Sequence, residues 1–178
     1  MQKVFSIPQI READRYTIEN EPIASVDLME RAARACYTWM VTNINDLDTS
    51  TVAVVCGMGN NGGDGLVLAR MLATAGVRVD VYVIALSDKG MPDFEINKQR
   101  LSGMDVNVCN VSSLEEFILS SSVDIIVDAV LGSGLARPLA GDMAKIIQEI
   151  NAFEAEKIAI DMPSGLFADR SSVGNTVF

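Results

Sequence analysis

The apolar positions of this chain follow two periods. Near the start, Ile7, Ile10, Ala13, Thr17 and Ile18 recur at helical spacing behind Ser6-Ile-Pro-Gln9, which has the form of a capping box with proline in the first turn. A first helix therefore ends near Asn20-Glu-Pro22. Ser25 can cap a second, longer helix whose stripe is Met29, Ala32, Ala33, Cys36, Met40, Ile44 and Leu47. Beyond it, β-branched runs alternate with helical stretches. Strands are predicted over 52–56, 78–85, 106–109, 123–131 and 157–161, and helices over 64–75, 94–102, 113–120 and 141–153. Such alternation predicts an α/β fold, a mostly parallel sheet covered on both faces, here preceded by two helices. Thr176-Val-Phe178 reads as the start of one more strand, so the expected single domain over 1–178 is cut short at its C-terminal end.

In a sheet of this kind ligands bind beyond the carboxyl ends of the strands, where the strand order reverses. Three segments qualify by composition: 57–65, 131–141 and 161–165. The first carries Gly57, Gly59 and Gly62 in the G-x-G-x-x-G spacing of a dinucleotide fingerprint directly after a predicted strand. The acidic residue expected roughly 20 positions on is poorly matched, since Asp80 lies too early in its apolar run and Asp88 lies beyond it. Asn60, Asn61 and Asp64 also make this loop more polar than passage of a pyrophosphate requires.

Composition narrows the chemistry. With 178 residues, 49% of them apolar and 21% charged, one soluble globular domain is the default. No apolar run reaches the roughly 18 to 20 residues needed to span a bilayer, and the start lacks a signal-peptide core, which predicts a cytoplasmic protein without membrane contact. A net charge of −10 with scattered Lys and Arg argues against nucleic-acid partners. The absence of histidine removes Ser-His-Asp and Cys-His mechanisms. Cys36, Cys56 and Cys109 are odd in number and set in apolar patterns, so they read as buried thiols rather than as disulfides or zinc ligands.

What remains is carboxylate, amide and hydroxyl chemistry. Asp128 stands in an apolar run where an unpaired charge would be costly, so it either ties down a loop through backbone N–H groups or meets an ion or substrate. Asp161 ends the run Ile158-Ala-Ile160 and should emerge at the crevice. Asp64 suits a helix N-cap at the edge of the site, and Asn60 and Asn61 suit a turn or a ligand. Ser164 could steady a turn or join a carboxylate and an amide oxygen around a hard cation. Arg137 is the one basic residue in the three loops and the candidate for a phosphate contact.

Together, Gly59-Asn-Asn-Gly-Gly-Asp-Gly65, Asp128-Ala-Val-Leu-Gly-Ser-Gly-Leu135 with Arg137, Pro138 and Gly141, and Asp161-Met-Pro-Ser-Gly165 resemble the NAD(P)H-hydrate epimerase family, the YjeF N-terminal domain. Gln9-Ile-Arg-Glu-Ala-Asp14 and Ser25-Val-Asp-Leu-Met-Glu-Arg-Ala-Ala33 are similar to its helical opening. The resemblance implies a Rossmann-like three-layer α/β/α domain that interconverts the R and S forms of NADHX and NADPHX. It implies that Asn60, Asn61, Gly62, Gly63 and Asp64, with Gly132, Ser133, Gly134, Leu135, Ala136, Arg137 and Pro138, hold this substrate, and that Asp161 contacts the hydrated ring. It further implies a potassium ion, one per subunit, on Asn61, Asp128 and Ser164, a homodimer, and a fused or separate ADP- or ATP-dependent dehydratase as partner. Asp161 is then the proton shuttle. Two other readings stand beside this one: a non-catalytic nucleotide-sensing or scaffold module, and an NAD-dependent oxidoreductase.

Overall fold

In the computed structural model residues 5–85 and 89–178 are described. Five strands, β1 (Thr51–Cys56), β2 (Arg78–Ile84), β3 (Asn107–Val111), β4 (Ile125–Ala129) and β5 (Glu156–Ala159), form one sheet in the order β3-β2-β1-β4-β5. Every pairing is parallel. The expected α/β architecture is therefore present, and the order reverses between β1 and β4, so their carboxyl ends flank the crevice.

The helices are α1 (Ile7–Asn20), α2 (Ser25–Asn43), α3 (Asn60–Thr74), α4 (Pro92–Leu101) and α5 (Gly141–Ala152). All six residues of β1 are buried, as a central parallel strand with both faces covered requires. Val52, Val54 and Cys56 pack in one core with Leu66, Leu68, Leu72 and Phe94 of α3 and α4. Ala53 and Val55 pack in the other with Ile146, Ile147 and Ile150 of α5. Side chains alternate across a strand, so these two cores are the two faces of the sheet and the domain has three layers. Helix α1 contributes no buried residue.

Several boundaries move from their sequence-based positions, each for a physical reason. Helix α2 stops at Asn43, because the chain turns at Asp46, with φ 57°, whose carbonyl accepts from Thr49 and Ser50. Leu47 still reaches the core, from the turn rather than from the helix. The helix expected over 113–120 shrinks to a 3-10 turn, Leu114–Glu116, held by Ser112 N–H donating to Glu116 Oε2 at 2.7 Å and by Phe117 set edge-on to Tyr82. Strand β5 ends at Ala159, so Asp161 lies two residues past it. Residues 176–178 form no strand; Phe178 N–H donates to the Ser164 carbonyl at 2.9 Å.

The largest shift concerns α3, which begins at Asn60 rather than at residue 64. Asparagine and glycine are poor helix formers, which is why the sequence pattern delays the start. Packing overrides that preference. A Cβ on Gly62 would lie 1.7 Å from the Gly57 carbonyl oxygen, and one on Gly65 would lie 2.5 Å from the Ala129 side chain. The glycines let the first turns of α3 press directly onto the ends of β1 and β4.

Candidate functional site

A cavity of about 630 Å³ opens at the carboxyl ends of β1 and β4. Its floor is Gly59, Asn60, Asn61 and Asp64 from the start of α3, its wall is Val130 and 132–135, and Asp161 stands at its mouth. Helix α1 covers it with Ile7, Ile10, Arg11 and Asp14. The two loops that follow β1 and β4 thus meet the segment after β5 in one place.

The meeting is tight at Gly132. A Cβ there would fall 2.3 Å from Asp161 Oδ2 and 3.4 Å from Asn61 Cβ, so only glycine lets the three segments converge. Asp161 Oδ2 accepts the Ser133 N–H at 2.7 Å, while Oδ1 has no hydrogen-bond partner among the described residues. One oxygen is fixed. The carboxylate is exposed and lines the cavity.

Asp64 does not cap α3. Gly59 is the N-cap, and Asp64 lies more than a turn inside the helix, on the side that lines the cavity. Burial, with Asp161, Asp14 and Asp93 nearby, pushes its carboxyl up to about 7. Near neutral pH the crevice thus holds one carboxyl poised to gain or lose a proton. The first N–H groups of α3 have no intrahelical partner and open toward the same space. They favour an anionic or carbonyl group.

Asp128 is fully buried at the end of β4. Its Oδ1 accepts the Val130 N–H at 3.0 Å and the Ser164 hydroxyl at 2.6 Å, and its Oδ2 accepts the Ser164 N–H at 2.7 Å. Ser164 Oγ in turn accepts the Leu131 N–H at 2.8 Å. The loop-tying reading of Asp128 is thereby met, and it draws the segment after β5 onto the loop after β4. Burial still raises the Asp128 carboxyl against these hydrogen bonds.

Asn61 is the anomaly of the site. It is buried, yet neither Oδ1 nor Nδ2 has a hydrogen-bond partner among the described residues. An orphaned buried amide costs about 1–3 kcal/mol, and native proteins seldom tolerate one without a ligand to receive it.

Of the other sequence-derived candidates, Ser133, Gly134 and Leu135 line the cavity. Gly62 and Gly63 do not; a Cβ on Gly63 would meet the Met29 sulfur at 2.7 Å, so both serve the packing of α3. Ala136, Arg137 and Pro138 are exposed and lie outside the lining. The cation that does line the cavity is Arg11, together with Asp14, both on α1. An exposed amphipathic helix gives no sign of what it covers, so periodicity alone could not place them. Asp80 lies within β2, away from the crevice, and Asp88 lies outside the described residues. Cys56 is a buried thiol held in its neutral form by burial, whereas Cys36 and Cys109 are half-buried; all three are free. No helix among the described residues is long and apolar enough to cross a membrane.

Comparison with known proteins gives this geometry its context. The profile of the family described as YjeF-related protein N-terminus matches residues 25–178. The chain belongs to this family. A curated NAD(P)H-hydrate epimerase of Lentilactobacillus buchneri is 39% identical over 179 residues, covering 99% of this chain and 79% of the relative. Another, of Oenococcus oeni, is also 39% identical, over 97% of this chain and 79% of its own length. The bifunctional NAD(P)H-hydrate repair enzyme Nnr of Thermofilum pendens is 37% identical over 96% of this chain, which spans only 33% of that protein. In fold, this YjeF-related domain matches the crystal structure of the yeast protein ynu0 with a TM-score of 0.78 and 24% identity, over 99% of this chain and 77% of the yeast one.

Proposed function

We propose that the chain is an NAD(P)H-hydrate epimerase, an isomerase of nicotinamide-nucleotide repair that interconverts the R and S forms of NADHX and NADPHX. The observation that carries this reading is the 39% identity over nearly the whole chain to a relative of that name. The crevice adds chemical sense to it. No histidine or redox-active pair is needed, because inversion at a hydroxyl-bearing carbon beside a ring nitrogen changes no oxidation state.

The step requires one proton given and one regained. Asp161, in its protonated form, gives a proton to the ring hydroxyl while the nitrogen lone pair expels it as water, leaving an iminium cation. Water adds to the opposite face and releases its extra proton to solvent, from which the Asp161 carboxylate is reprotonated. Positioned acid–base catalysis of this kind contributes roughly 10² to 10⁴ in rate. Asp161 suits it because it lines the cavity and Ser133 fixes one of its carboxylate oxygens. Asn60, the open N–H groups of α3 and the backbone of 132–135 orient the rest of the nucleotide.

The same reading includes a potassium ion held by Asn61, Asp128 and Ser164. The residues fit such an ion: the Asn61 amide oxygen is orphaned, the Asp128 carboxylate is buried without a cationic partner among the described residues, and all three groups offer the oxygen donors a hard cation prefers. When bound, the ion would supply a fixed positive charge that orients substrate oxygens. A homodimer, a cytoplasmic site of action and a dehydratase working on the S form, fused or separate, complete the proposal; the bifunctional relatives support the last.

The test is direct. Purified R-NADHX, followed by chromatography that separates the epimers, should equilibrate with S-NADHX many times faster with the protein than in potassium buffer alone. Equilibration no faster than the spontaneous rate, with folded protein, would refute the assignment.

A further inference from the structure

Beside the main cavity lies a second space of about 280 Å³, and the two share Ile7, Arg11 and residues 133–135 as a common wall. This annex is lined on its far side by Phe167 and 168–170. Its charge differs from that of the main cavity. The main cavity is lined by Asp14, Asp64 and Asp161 against Arg11 alone, whereas the annex has Arg11 and Arg170 against Asp169.

Both arginines are disposed to receive an anion. Arg170 stacks over the Phe167 ring, 3.8 Å from its centroid, and donates one N–H to the Ala136 carbonyl. Phe167 is itself buried, so the guanidinium is held in place by a fixed platform, and among the described residues its remaining N–H groups have no hydrogen-bond partner. Arg11 has no ion-pair partner among the described residues and reaches toward Gly134, where a Cβ would lie 3.5 Å from one of its terminal nitrogens.

We propose that the annex is the phosphate subsite of the crevice, with Arg11 and Arg170 as its cationic ligands. The inference rests on the substrate being a nicotinamide dinucleotide. Such a ligand lies across the turn at 132–134 with its ring at Asp161 and a phosphate between the two arginines. The arginines matter here because the chain carries a net charge of −10 and the ring cavity is lined by three aspartates against Arg11 alone. Guanidinium forks match phosphate geometry, and each charged hydrogen bond is strong enough to be read in an affinity. Arg170 thereby takes the part that the sequence pattern assigned to Arg137.

The experiment is calorimetric titration of the full chain with two probes, ADP for a 5′-pyrophosphate and 2′-AMP for a 2′-phosphate, with adenosine as the phosphate-free control. The wild-type chain should bind at least one probe more tightly than adenosine. Arg11→Ala and Arg170→Ala should each weaken that probe about 10-fold or more, with folding checked by circular dichroism. Arg170→Lys should recover part of the loss, and binding should weaken with salt more steeply in the wild type than in the alanine variants. A loss confined to ADP assigns the annex to the pyrophosphate, and one confined to 2′-AMP assigns it to the phosphate that distinguishes NADPHX from NADHX. Affinity for both probes unchanged within twofold in folded variants, or no preference for either probe over adenosine, would overturn the subsite. The outcome is independent of turnover, so an inactive chain that still binds ADP through both arginines would sink the epimerase reading alone.

Discussion

Asp64 is the carboxyl through which pH acts on this crevice. Its folded value of about 7 lies above the ordinary aspartate value of 3.8, so the folded chain holds a proton that the unfolded chain has released over that window. Stability contributed through this group therefore falls as pH rises from about 4 to about 7 and is level above that. Asp64→Asn removes the dependence. Urea denaturation at pH 5 and pH 8 should show the wild type losing roughly 2 kcal/mol more than the variant between the two values. Equal losses in both proteins would contradict the assignment. Asn61 makes the opposite case, a residue whose removal harms activity and spares the fold. Because its buried amide is unpartnered among the described residues and alanine is the better helix former, Asn61→Ala should unfold no more easily than the wild type while losing most epimerase activity and its response to potassium. A clear fall in melting temperature would show that the amide has a structural partner. Asp161 at the crevice mouth was legible from its place after an apolar run. The orphaned state of Asn61 was not, because it depends on what surrounds the amide in three dimensions.

At the scale of elements, α3 carries the clearest contrast. Gly62 and Gly59 look alike in the sequence, as two glycines of one fingerprint. In the fold a Cβ on Gly62 would collide with the Gly57 carbonyl, whereas one on Gly59 would meet nothing within 4 Å. Gly62→Ala should lower the melting temperature by about 5 °C or more, since overpacking against backbone costs about 1–3 kcal/mol or above. Gly59→Ala should stay within about 3 °C, the cost of a poorer N-cap. Equal melting temperatures for the two variants would mean that α3 does not press onto β1 and β4 as described. The strand–helix alternation was legible because each run had its own period and its own stop. The start of α3 and the loss of the helix over 113–120 were not, because strand packing and the contact of Phe117 with Tyr82 decided them.

Across the whole molecule, strand order does the positioning. Alternation predicted a parallel sheet, but only the order β3-β2-β1-β4-β5 puts β1 beside β4 and so brings the polar segments after β1, β4 and β5 to one crevice. Asp128 and Ser164 then lock two of those segments together from within. Helix α1 closes the crevice with residues that its exposed face gave no reason to single out, Arg11 foremost. The account rests on Asp161 acting as an acid and base inside that frame. The measurement that bears on it most directly is the rate at which R-NADHX is consumed in potassium buffer by an added dehydratase specific for the S form, with wild-type protein and with Asp161→Ala. The wild type should accelerate consumption well beyond spontaneous epimerisation, and Asp161→Ala, equally folded, should lose about 10²-fold or more of that acceleration. Retention of the full rate by the folded variant would contradict the role given to Asp161.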